Sequence, residues 1–362
     1  MSAEPLVYDQ PSPVSVETLR PLREAEWDRY VRQAPDATFF HQLGWRWLVE
    51  RVFGHRAHYL TALRGGRDGR DDRIAGVLPL FELKSLLFGH SLVSIPFAIG
   101  GGIAADDGEA VSALLDAARA LAEERGVDYL ELRSERPLPD AGLLAKDLYV
   151  TFRADLAEGE EALLKRMERK RRQMMNYVSR AGFSHRVAGL EELPLFYDLF
   201  CQSMRHHGTP VYPRLFLQEI LDRHPGTTHL FFVEHGGRTV AGVLNLLFRD
   251  VIMPFYAGAD RGERPRGVDD YTYLAILRWG RDHGFRVFDF GRSKRGTGAW
   301  DFKRRWGMEE VPLGYQYHLV KARELPNVSP ANPKYQAAIR VWQKLPLPLT
   351  RLLGPMIVKR VP

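Results

Sequence analysis

The sequence contains an internal repeat, and this repeat constrains the fold more than any other feature. In the first half, the apolar segments 58–63 and 73–78 flank a turn of glycine, arginine and aspartate. In the second half, 229–234 and 238–244 flank a His-Gly-Gly turn in the same way. The second segment of each pair contains Ala-Gly-Val-Leu. Two apolar runs around a short polar turn are typical of a β-hairpin, so we predict one hairpin in each half.

The two halves also share the elements that follow each hairpin. Each copy continues with an apolar strand and a glycine-containing loop, an amphipathic helix that stops at a glycine, and a final strand. These elements cover 98–102, 110–125, Gly126 and 127–133 in the first half, and 256–259, 271–283, Gly284 and 285–290 in the second. A helix that crosses back to a new strand gives a mixed sheet with helices packed on it. We therefore predict an α/β (α+β) fold with two tandem domains.

The composition between the copies indicates where each domain ends. The turn-rich stretch 136–142 precedes the boundary, and 158–182 is predicted to be one long helix after it. The predicted domains are 15–150 and 151–324, followed by a proline-rich tail, 325–362, with a short helix at 335–344. A chain of 362 residues is long enough for two such cores.

Cysteine usage and hydropathy indicate the compartment. Cys201 is the only cysteine, which excludes a disulfide framework and a cysteine-based zinc cluster and fits a reducing compartment. The first sixteen residues have no apolar core typical of a signal peptide. Since no stretch approaches the roughly 20 apolar residues of a spanning helix, we expect a cytoplasmic protein.

The net charge of +6 is concentrated in two segments. Residues 165–186 hold eight Lys or Arg against one acid, and residues 292–305 hold six against one. Together they exceed the net charge of the whole chain, so the remainder is net acidic. Such patches suit a phosphate-bearing ligand, an anionic membrane or nucleic acid, and the alternative is a solvated helix face.

Most familiar catalytic signatures are missing from the sequence. It has no Gly-x-Ser-x-Gly and no His-Glu-x-x-His, and Thr297 stands where a phosphate-binding loop starting at Gly291 needs lysine. His206 and His207 lack a partner at metal-ligand spacing, so we predict no metal site.

The candidate chemistry lies after the second crossover. Asp289 is flanked by Phe288 and Phe290 on an apolar strand, so either its pKa is shifted or it pairs with a nearby arginine. The segment 300–307 mixes aromatic and cationic residues, which suits stacking on a base or clamping of phosphates. Alternatively, it is an amphipathic helix with Phe302 and Trp306 facing the core and the cations between them facing outward.

Five motifs together resemble a known superfamily. They are Arg-Lys-Arg-Arg at 169–172 leading to Gly182, Ala-Gly-Val-Leu at 241–244, Tyr-Ala-Gly-Ala at 256–259, Gly284 to Asp289-Phe-Gly291, and Phe302-Lys303-x-x-Trp306-Gly307. In order and spacing they resemble the FemAB-like peptidoglycan-bridge acyltransferases, which are twin GNAT (acetyltransferase-fold) proteins. The resemblance extends to about residue 320 and is strongest to FemAB-related proteins of bacterial PEP-CTERM/exosortase and exopolysaccharide loci.

The resemblance implies acyl transfer from an activated donor to an amine or hydroxyl of a cell-envelope or exopolysaccharide precursor. The donor is acyl-CoA or aminoacyl-tRNA. Family members that use charged tRNA commonly carry a long coiled-coil arm in the second domain, and no such heptad insertion occurs here. This departure favours acyl-CoA. We therefore expect no nucleic acid as a partner, with tRNA as the one exception that stays open.

Site residues follow from the resemblance and from the chemistry. Lys303 matches the family lysine linked to substrate binding, and Arg171 and Arg172 fall in the segment that matches the Arg-rich motif. Acyl transfer also needs a proton relay, for which Asp289, Tyr256 and Asp270 are candidates. The expected catalytic residues are Lys303, Asp289 and Tyr256, and the expected substrate-binding residues are Arg171, Arg172, Arg292, Lys294, Trp300 and Arg304.

The loop before the second crossover helix is the predicted cofactor site. Arg264, Arg266 and Gly267 are positioned like the phosphate-binding turn of acetyltransferases, where helix-end N–H groups meet a pyrophosphate. The corresponding loop of the first half has Asp106 and Asp107 instead, and acids repel phosphate. We therefore expect the donor in the second domain and the first domain as one wall of an acceptor cleft.

Two other functions remain open from the sequence. One is a peptidoglycan-bridge aminoacyltransferase that uses aminoacyl-tRNA. The other is a non-enzymatic protein whose cationic patches bind nucleic acid or anionic lipid. In the tail, Arg351, Lys359 and Arg360 lie among leucines and prolines, a composition that suits peripheral contact with the inner face of a membrane.

Overall fold

The computed structural model describes residues 13–65, 72–85, 89–139, 142–262, 264–326 and 333–360. Most of the predicted turn at 65–72 and of the proline-rich segment 325–333 lies outside these residues.

The described chain contains two eight-stranded mixed sheets. The first has the order β1-β2-β3-β4-β6-β16-β7, with β5 on β3. Its strands are β1 Val14–Thr18, β2 Arg56–Arg64, β3 Arg73–Ser85, β4 Gly89–Val93, β5 Ala104–Ala105, β6 Tyr129–Ser134, β7 Leu144–Ala145 and β16 Gly314–Leu319.

The second sheet has the order β14-β8-β13-β12-β11-β10-β9, with β15 on β8. Its strands are β8 Tyr149–Asp155, β9 Phe183–Ala188, β10 Thr228–His235, β11 Arg238–Phe248, β12 Val251–Ala259, β13 Val287–Asp289, β14 Ser293–Lys294 and β15 Glu309–Pro312. Both predicted hairpins form, as the antiparallel pairs β2–β3 and β10–β11.

Helices connect and cover the two sheets. They are α1 Glu24–Gln33, α2 Leu43–Phe53, α3 Gly108–Arg125, α4 Gly159–Arg166, α5 Arg169–Val178, α6 Leu193–His207, α7 Arg214–Arg223, α8 Val268–Asp282, α9 Gly298–Arg304, α10 Pro333–Lys344 and α11 Leu347–Val358. Helix α3 joins the parallel pair β4–β6, and α8 joins the parallel pair β12–β13. The two crossovers have the same topology, which confirms the predicted tandem α/β domains.

The first sheet also contains a strand from the predicted second domain. Strand β16 lies within the predicted second domain but pairs with β6 of the first sheet, Gly314 opposite Ser134. Strand β8 begins the second sheet at Tyr149, and β15 pairs with it immediately before the chain returns to the first sheet. The first sheet is therefore completed by a segment that follows the whole second domain.

The predicted long helix at 158–182 is wrong, because the structure has two helices there. Met167 separates α4 from α5 with an extended backbone (ψ 146°) and a buried side chain. The backbone of Arg166 lies so close to Gly307 that a Cβ at Gly307 would approach it to 2.6 Å. The break lets Met167 reach the core of the second domain, which the helical periodicity of the segment does not show.

One hydrophobic cluster extends through both domains. Trp45 and Phe53 of α2 pack with Phe216 of α7, at ring-centroid distances of 5.9 and 5.2 Å. At the same boundary Arg249 donates hydrogen bonds to the carbonyl oxygens of Val31 and Ala34 at the end of α1. These contacts join the two sheets through buried aromatic packing and a capped helix end. None of the helices in the described ranges is long and apolar enough to span a membrane.

Candidate active site at the splayed strands

The second sheet opens between β12 and β13. These strands pair only at Val251 with Val287 and at Ile252 with Phe288. Beyond those pairs β12 continues along β11 to Ala259, whereas β13 ends at Asp289, which pairs with Arg153 of β8 on its other edge. The backbone groups that a continued ladder would use must therefore find other partners or face the gap.

A β-bulge in β12 lies beside this gap. Leu244 pairs with Tyr256 and Asn245 pairs with Pro254, which leaves Phe255 as an extra residue. Bulges bend a strand, redirect its side chains and often occur next to active sites. Here the bulge directly precedes Tyr256, one of the predicted catalytic residues.

Tyr256 lies in an aromatic wall of the cleft. Its ring is 5.2 Å from that of Tyr212 and 5.3 Å from that of Phe200. Burial, and then the hydroxyl of Tyr212, hold the pKa of Tyr256 well above its ordinary value. At neutral pH Tyr256 is therefore a protonated phenol, which donates a hydrogen bond or a proton and does not act as a base.

Lys303 does not point outward, contrary to the expectation for the cations of α9. Its ammonium donates to the carbonyl oxygens of Phe290 and Gly291, at 2.6 and 2.9 Å. Burial lowers the pKa of Lys303 to about 8, although the nearby Asp289 carboxylate opposes this effect. The carbonyls at the end of β13 attract the ammonium because the sheet does not pair them. Lys303 thus holds the 290–291 turn, where Gly291 has φ +71°.

Asp289 is a buried carboxylate with partners for both oxygens. Oδ1 accepts from the Thr151 hydroxyl and from the Gly291 N–H (2.8 Å), and Oδ2 accepts from Nε of Arg153 (2.7 Å). The residue is only 1% exposed. These contacts match the alternative of a carboxylate paired with an arginine, so Asp289 orients the turn and the arginine.

Arg292 lies beyond this turn, between tyrosines of both sheets. Its guanidinium carbon is 5.0 Å from the Tyr149 ring and 5.9 Å from the Tyr315 ring, and Nη1 donates to the Tyr315 hydroxyl at 3.1 Å. The buried Arg133 approaches the other part of this cluster, 5.8 Å from the Tyr315 ring. The residue as a whole is exposed, and no carboxylate partner for its guanidinium occurs within the described ranges. It is therefore a cation available to an anionic group in the cleft.

A cavity of about 230 Å³ lies between the domains near Asp289. Glu135, just after β6, lines it together with Arg153, whose Nη2 donates to Glu135 at 2.6 Å. Burial raises the pKa of Glu135, against the opposing charge of Arg153. A carboxyl group with a raised pKa that lines a cavity is a candidate general base.

The two predicted arginines of the basic helix α5 have different roles. Arg171 forms an ion pair with Asp270 of α8, and its guanidinium carbon lies 4.6 Å from the Phe302 ring. Its side chain is 11% exposed, so it joins α5 to α8 and α9. Arg172 is exposed on the same helix. The prediction that both bind substrate therefore does not fit Arg171, whose charge is already paired; Asp270 is likewise committed to this pair.

The predicted phosphate-binding turn lies at the N-terminal end of α8, where α5 covers it. Gly267 precedes α8 with φ +80°, and a Cβ there would approach Val178 of α5 to 2.5 Å. Arg264 forms an ion pair with Asp269, and the guanidinium carbon of Arg266 lies 5.0 Å from the Tyr177 ring. With Asp269 and Asp270 in its first turn, this helix end is poorly suited to a pyrophosphate. Arg264 instead lines a separate open cavity of about 290 Å³.

The remaining predicted residues lie on α9 and β14. Trp300 donates from Nε1 to Glu310 at 2.9 Å, and the guanidinium carbon of Arg304 lies 5.3 Å from its ring. Arg304 also pairs with Asp301 at 3.3 Å. Lys294 lies in β14 opposite Tyr149. Trp306 is fully buried against Phe290 and Phe302, which confirms the interpretation that it faces the core.

The sequence analysis does not identify five residues of the site. They are Arg133 and Glu135 at the end of β6, Tyr149 of β8, Tyr212 between α6 and α7, and Tyr315 of the returning strand β16. The one local signal was the alternation of Gly-Tyr-Gln-Tyr at 314–317, which is typical of a strand with both tyrosines on one face. In the part of the chain that the structure describes, no group of three or more His, Cys, Asp or Glu side chains is placed to hold a metal ion.

Comparison with known proteins agrees with this geometry. Residues 163–304 match the family described as acetyltransferase (GNAT) domain. A comparison with curated protein sequences finds no significant match. The structure is similar to that of FemX, with a TM-score of 0.66 and 16% identity over 90% of this chain and 100% of FemX.

Two further solved structures have the same arrangement. L-PGS from Bacillus licheniformis has a TM-score of 0.53 and 15% identity over 93% of this chain and 98% of its own. A tandem GNAT protein from the clavulanic acid biosynthesis pathway has a TM-score of 0.53 and 12% identity over 86% of this chain and 100% of its own. With the duplicated crossovers and the splayed, bulged strands, these similarities show that the chain has a tandem GNAT fold, with an acetyltransferase (GNAT) domain over residues 163–304.

Proposed function

We propose that the protein is an acyltransferase that moves an acyl group from acyl-CoA to an amine or hydroxyl of an anionic cell-envelope or exopolysaccharide precursor. The observation that carries this proposal is the gap between β12 and β13, which opens onto a cleft with a protonated phenol at Tyr256 and an available cation at Arg292. Acyl transfer needs such a preorganised cleft for the reacting carbonyl and needs no protein nucleophile.

The side chains supply the proton transfers of this reaction. The acceptor nitrogen or oxygen attacks the thioester carbonyl carbon, and its proton passes to Glu135. The carbon–sulfur bond then breaks, and the leaving thiolate accepts a hydrogen bond from the Tyr256 hydroxyl and takes its proton from solvent. Glu135 returns its proton to solvent. Lys303 and Asp289 position the 290–291 turn and are not part of the proton path.

The donor phosphates have a second candidate location because the α8 end is covered. The cavity of about 290 Å³ beside Arg264 is also lined by Arg238 and His235. Arg261 lies on the same loop and approaches His207, with 3.3 Å between Nη2 and Nε2. This concentration of cationic side chains suits a polyphosphate better than the acid-bearing first turn of α8 does.

An aminoacyl-tRNA donor is the second candidate, because FemX is among the similar structures. A cytoplasmic location and the link to PEP-CTERM loci stay predictions. The deciding experiment incubates the full chain with a panel of acyl-CoA thioesters and amine- or hydroxyl-bearing envelope precursors. Release of free thiol and the acylated product are measured together.

We expect thiol release that depends on the acceptor, is insensitive to RNase, and falls when Tyr256→Phe replaces the wild type. Activity that requires charged tRNA and is destroyed by RNase would replace acyl-CoA as the donor. A well-folded protein that transfers no acyl group from either donor would contradict the proposal and favour the non-enzymatic binding protein.

A further inference from the structure

Helix α11 packs firmly on the body of the protein along one face. Thr350, Gly354 and Val358 are buried on this face at intervals of four residues. The backbone of Val211 lies so close that a Cβ at Gly354 would approach its nitrogen to 2.7 Å. Arg351 pairs with Asp198 of α6 at 2.7 Å. The orientation of α11 is therefore set, and its opposite face points to solvent.

The outward face of α11 is entirely apolar. Its members recur at helical spacing and are between 39% and 67% exposed; they are Leu349, Leu352, Leu353, Met356 and Ile357. We call these five residues the apolar face of α11. A surface helix of a soluble domain normally presents charged and polar residues on this side. Because a contiguous exposed apolar patch marks an interaction site, this face requires a partner.

A cationic cavity adjoins the apolar face. Its volume is about 580 Å³, and it lies between the end of α11 and the first domain. Five cations line it against a single acid, Glu82; they are Arg56, Lys84, Arg125, Lys359 and Arg360. Met356 belongs to both the cavity and the apolar face. The two surfaces are thus continuous.

The single acid does not neutralise the cavity. Glu82 accepts from Arg125 at 2.8 Å and from His90 at 2.8 Å, and it pairs with Lys84 at 3.0 Å. Another polar group in the wall is buried His55, whose Nε2 has no hydrogen-bond partner in the described residues. The cavity therefore offers several positive charges to an anionic group.

We propose that the apolar face of α11 docks the protein on an anionic phospholipid bilayer, with a lipid headgroup phosphate in the cationic cavity. The five apolar side chains enter the acyl-chain boundary, and the adjoining cations meet the phosphate, as interfacial helices bind. An anionic bilayer fits because it offers acyl chains to the apolar face and headgroup phosphates to the adjoining cations. This inference does not depend on the proposed acyl transfer.

Docking in this orientation would place the candidate active site close to the bilayer. Val211, which touches Gly354 of α11, is followed by Tyr212, whose ring contacts Tyr256 in the cleft. Only one loop separates the lipid-facing helix from the aromatic wall of the cleft.

The test is co-sedimentation of the full chain with vesicles of phosphatidylcholine alone or of phosphatidylcholine with 30% phosphatidylglycerol. We expect binding to the anionic vesicles that weakens as salt is raised. Leu352→Glu with Met356→Glu should abolish this binding, since both side chains are exposed and the fold does not need them. Lys359→Gln with Arg360→Gln should weaken binding and flatten its salt dependence.

Matched controls come from exposed residues on other elements. Leu22→Glu changes a leucine that is 79% exposed, and Arg29→Gln with Arg32→Gln removes two exposed cations of α1. Neither should alter vesicle binding. The proposal fails if the Leu352→Glu, Met356→Glu variant still binds, or if the wild type ignores anionic vesicles. It also fails if the wild type is a dimer that this variant dissociates and that does not bind vesicles, because the face then contacts a second copy.

Discussion

The ammonium of Lys303 donates to the carbonyl oxygen of Phe290 at 2.6 Å, which joins α9 to the end of β13. This contact fixes the turn that presents Asp289 on one side and Arg292 on the other. Since burial lowers the pKa of Lys303 to about 8, the contact weakens within an accessible pH range.

Because of Lys303, the rate should therefore decline at high pH, and this decline forms the high-pH limb of the pH–rate profile. As the pH rises through about 8, the ammonium loses its proton and donates less strongly, so the turn loosens and the rate falls. Lys303→Met should lower the rate at every pH and remove this limb, as measured by initial rates from pH 6 to 10. A limb near pH 8 that persists in the variant would assign it to another group.

Substitutions of Arg171 and Arg172, which lie on the same helix, should have different effects on the free energy of unfolding. Arg171→Gln leaves Asp270 buried without its ion-pair partner, so we expect a loss of about 3 kcal/mol in the free energy of unfolding. Arg172→Gln removes an exposed charge and should change stability by less than about 0.5 kcal/mol. Urea unfolding of both variants measures the difference, and equal stabilities would show that the Arg171 pair contributes little.

Glu135 should act in proton transfer although it belongs to the first domain. Glu135→Gln keeps the shape and the contact with Arg153 but cannot accept a proton, so kcat should fall about 10²- to 10⁴-fold. The raised pKa of Glu135 predicts that the wild-type rate declines as the pH falls and the carboxylate becomes protonated. The variant should lack this decline. Glu124→Gln, an exposed change on α3, is the control and should leave kcat unchanged.

The duplicated domains were predictable because their signals are local. Each hairpin depends on alternation within about 20 residues, and each crossover helix on periodicity and a terminal glycine. Gly126 ends α3 with φ +59°, as the sequence indicates. Local patterns of this kind carry the fold without any knowledge of distant contacts.

The candidate site was less predictable because it depends on contacts between distant residues. Gly314 pairs with Ser134 across 180 positions, and this pairing brings Tyr315 to Arg292. The prediction that Lys303 points outward was wrong. Helical periodicity places Lys303 between two core residues but does not reveal the unpaired carbonyls nearby. Burial of Arg171 likewise depends on Asp270, 99 residues away.

Arg292 should bind the anionic group of the acceptor. Its guanidinium is held by the rings of Tyr149 and Tyr315 and has no carboxylate partner within the described ranges. A hydrogen bond to a charged group is worth about 1.5–3 kcal/mol, so Arg292→Gln should raise KM for the acceptor roughly 10- to 100-fold. The KM for the donor should change little, because the donor phosphates are proposed to lie near Arg264.

Arg292→Lys should restore part of the affinity, since it keeps the charge but not the planar contact with the tyrosines. Arg29→Gln removes an exposed charge from α1 and serves as the control. Steady-state rates at varied acceptor and fixed donor measure both constants, and an unchanged acceptor KM in Arg292→Gln would place the anion site elsewhere.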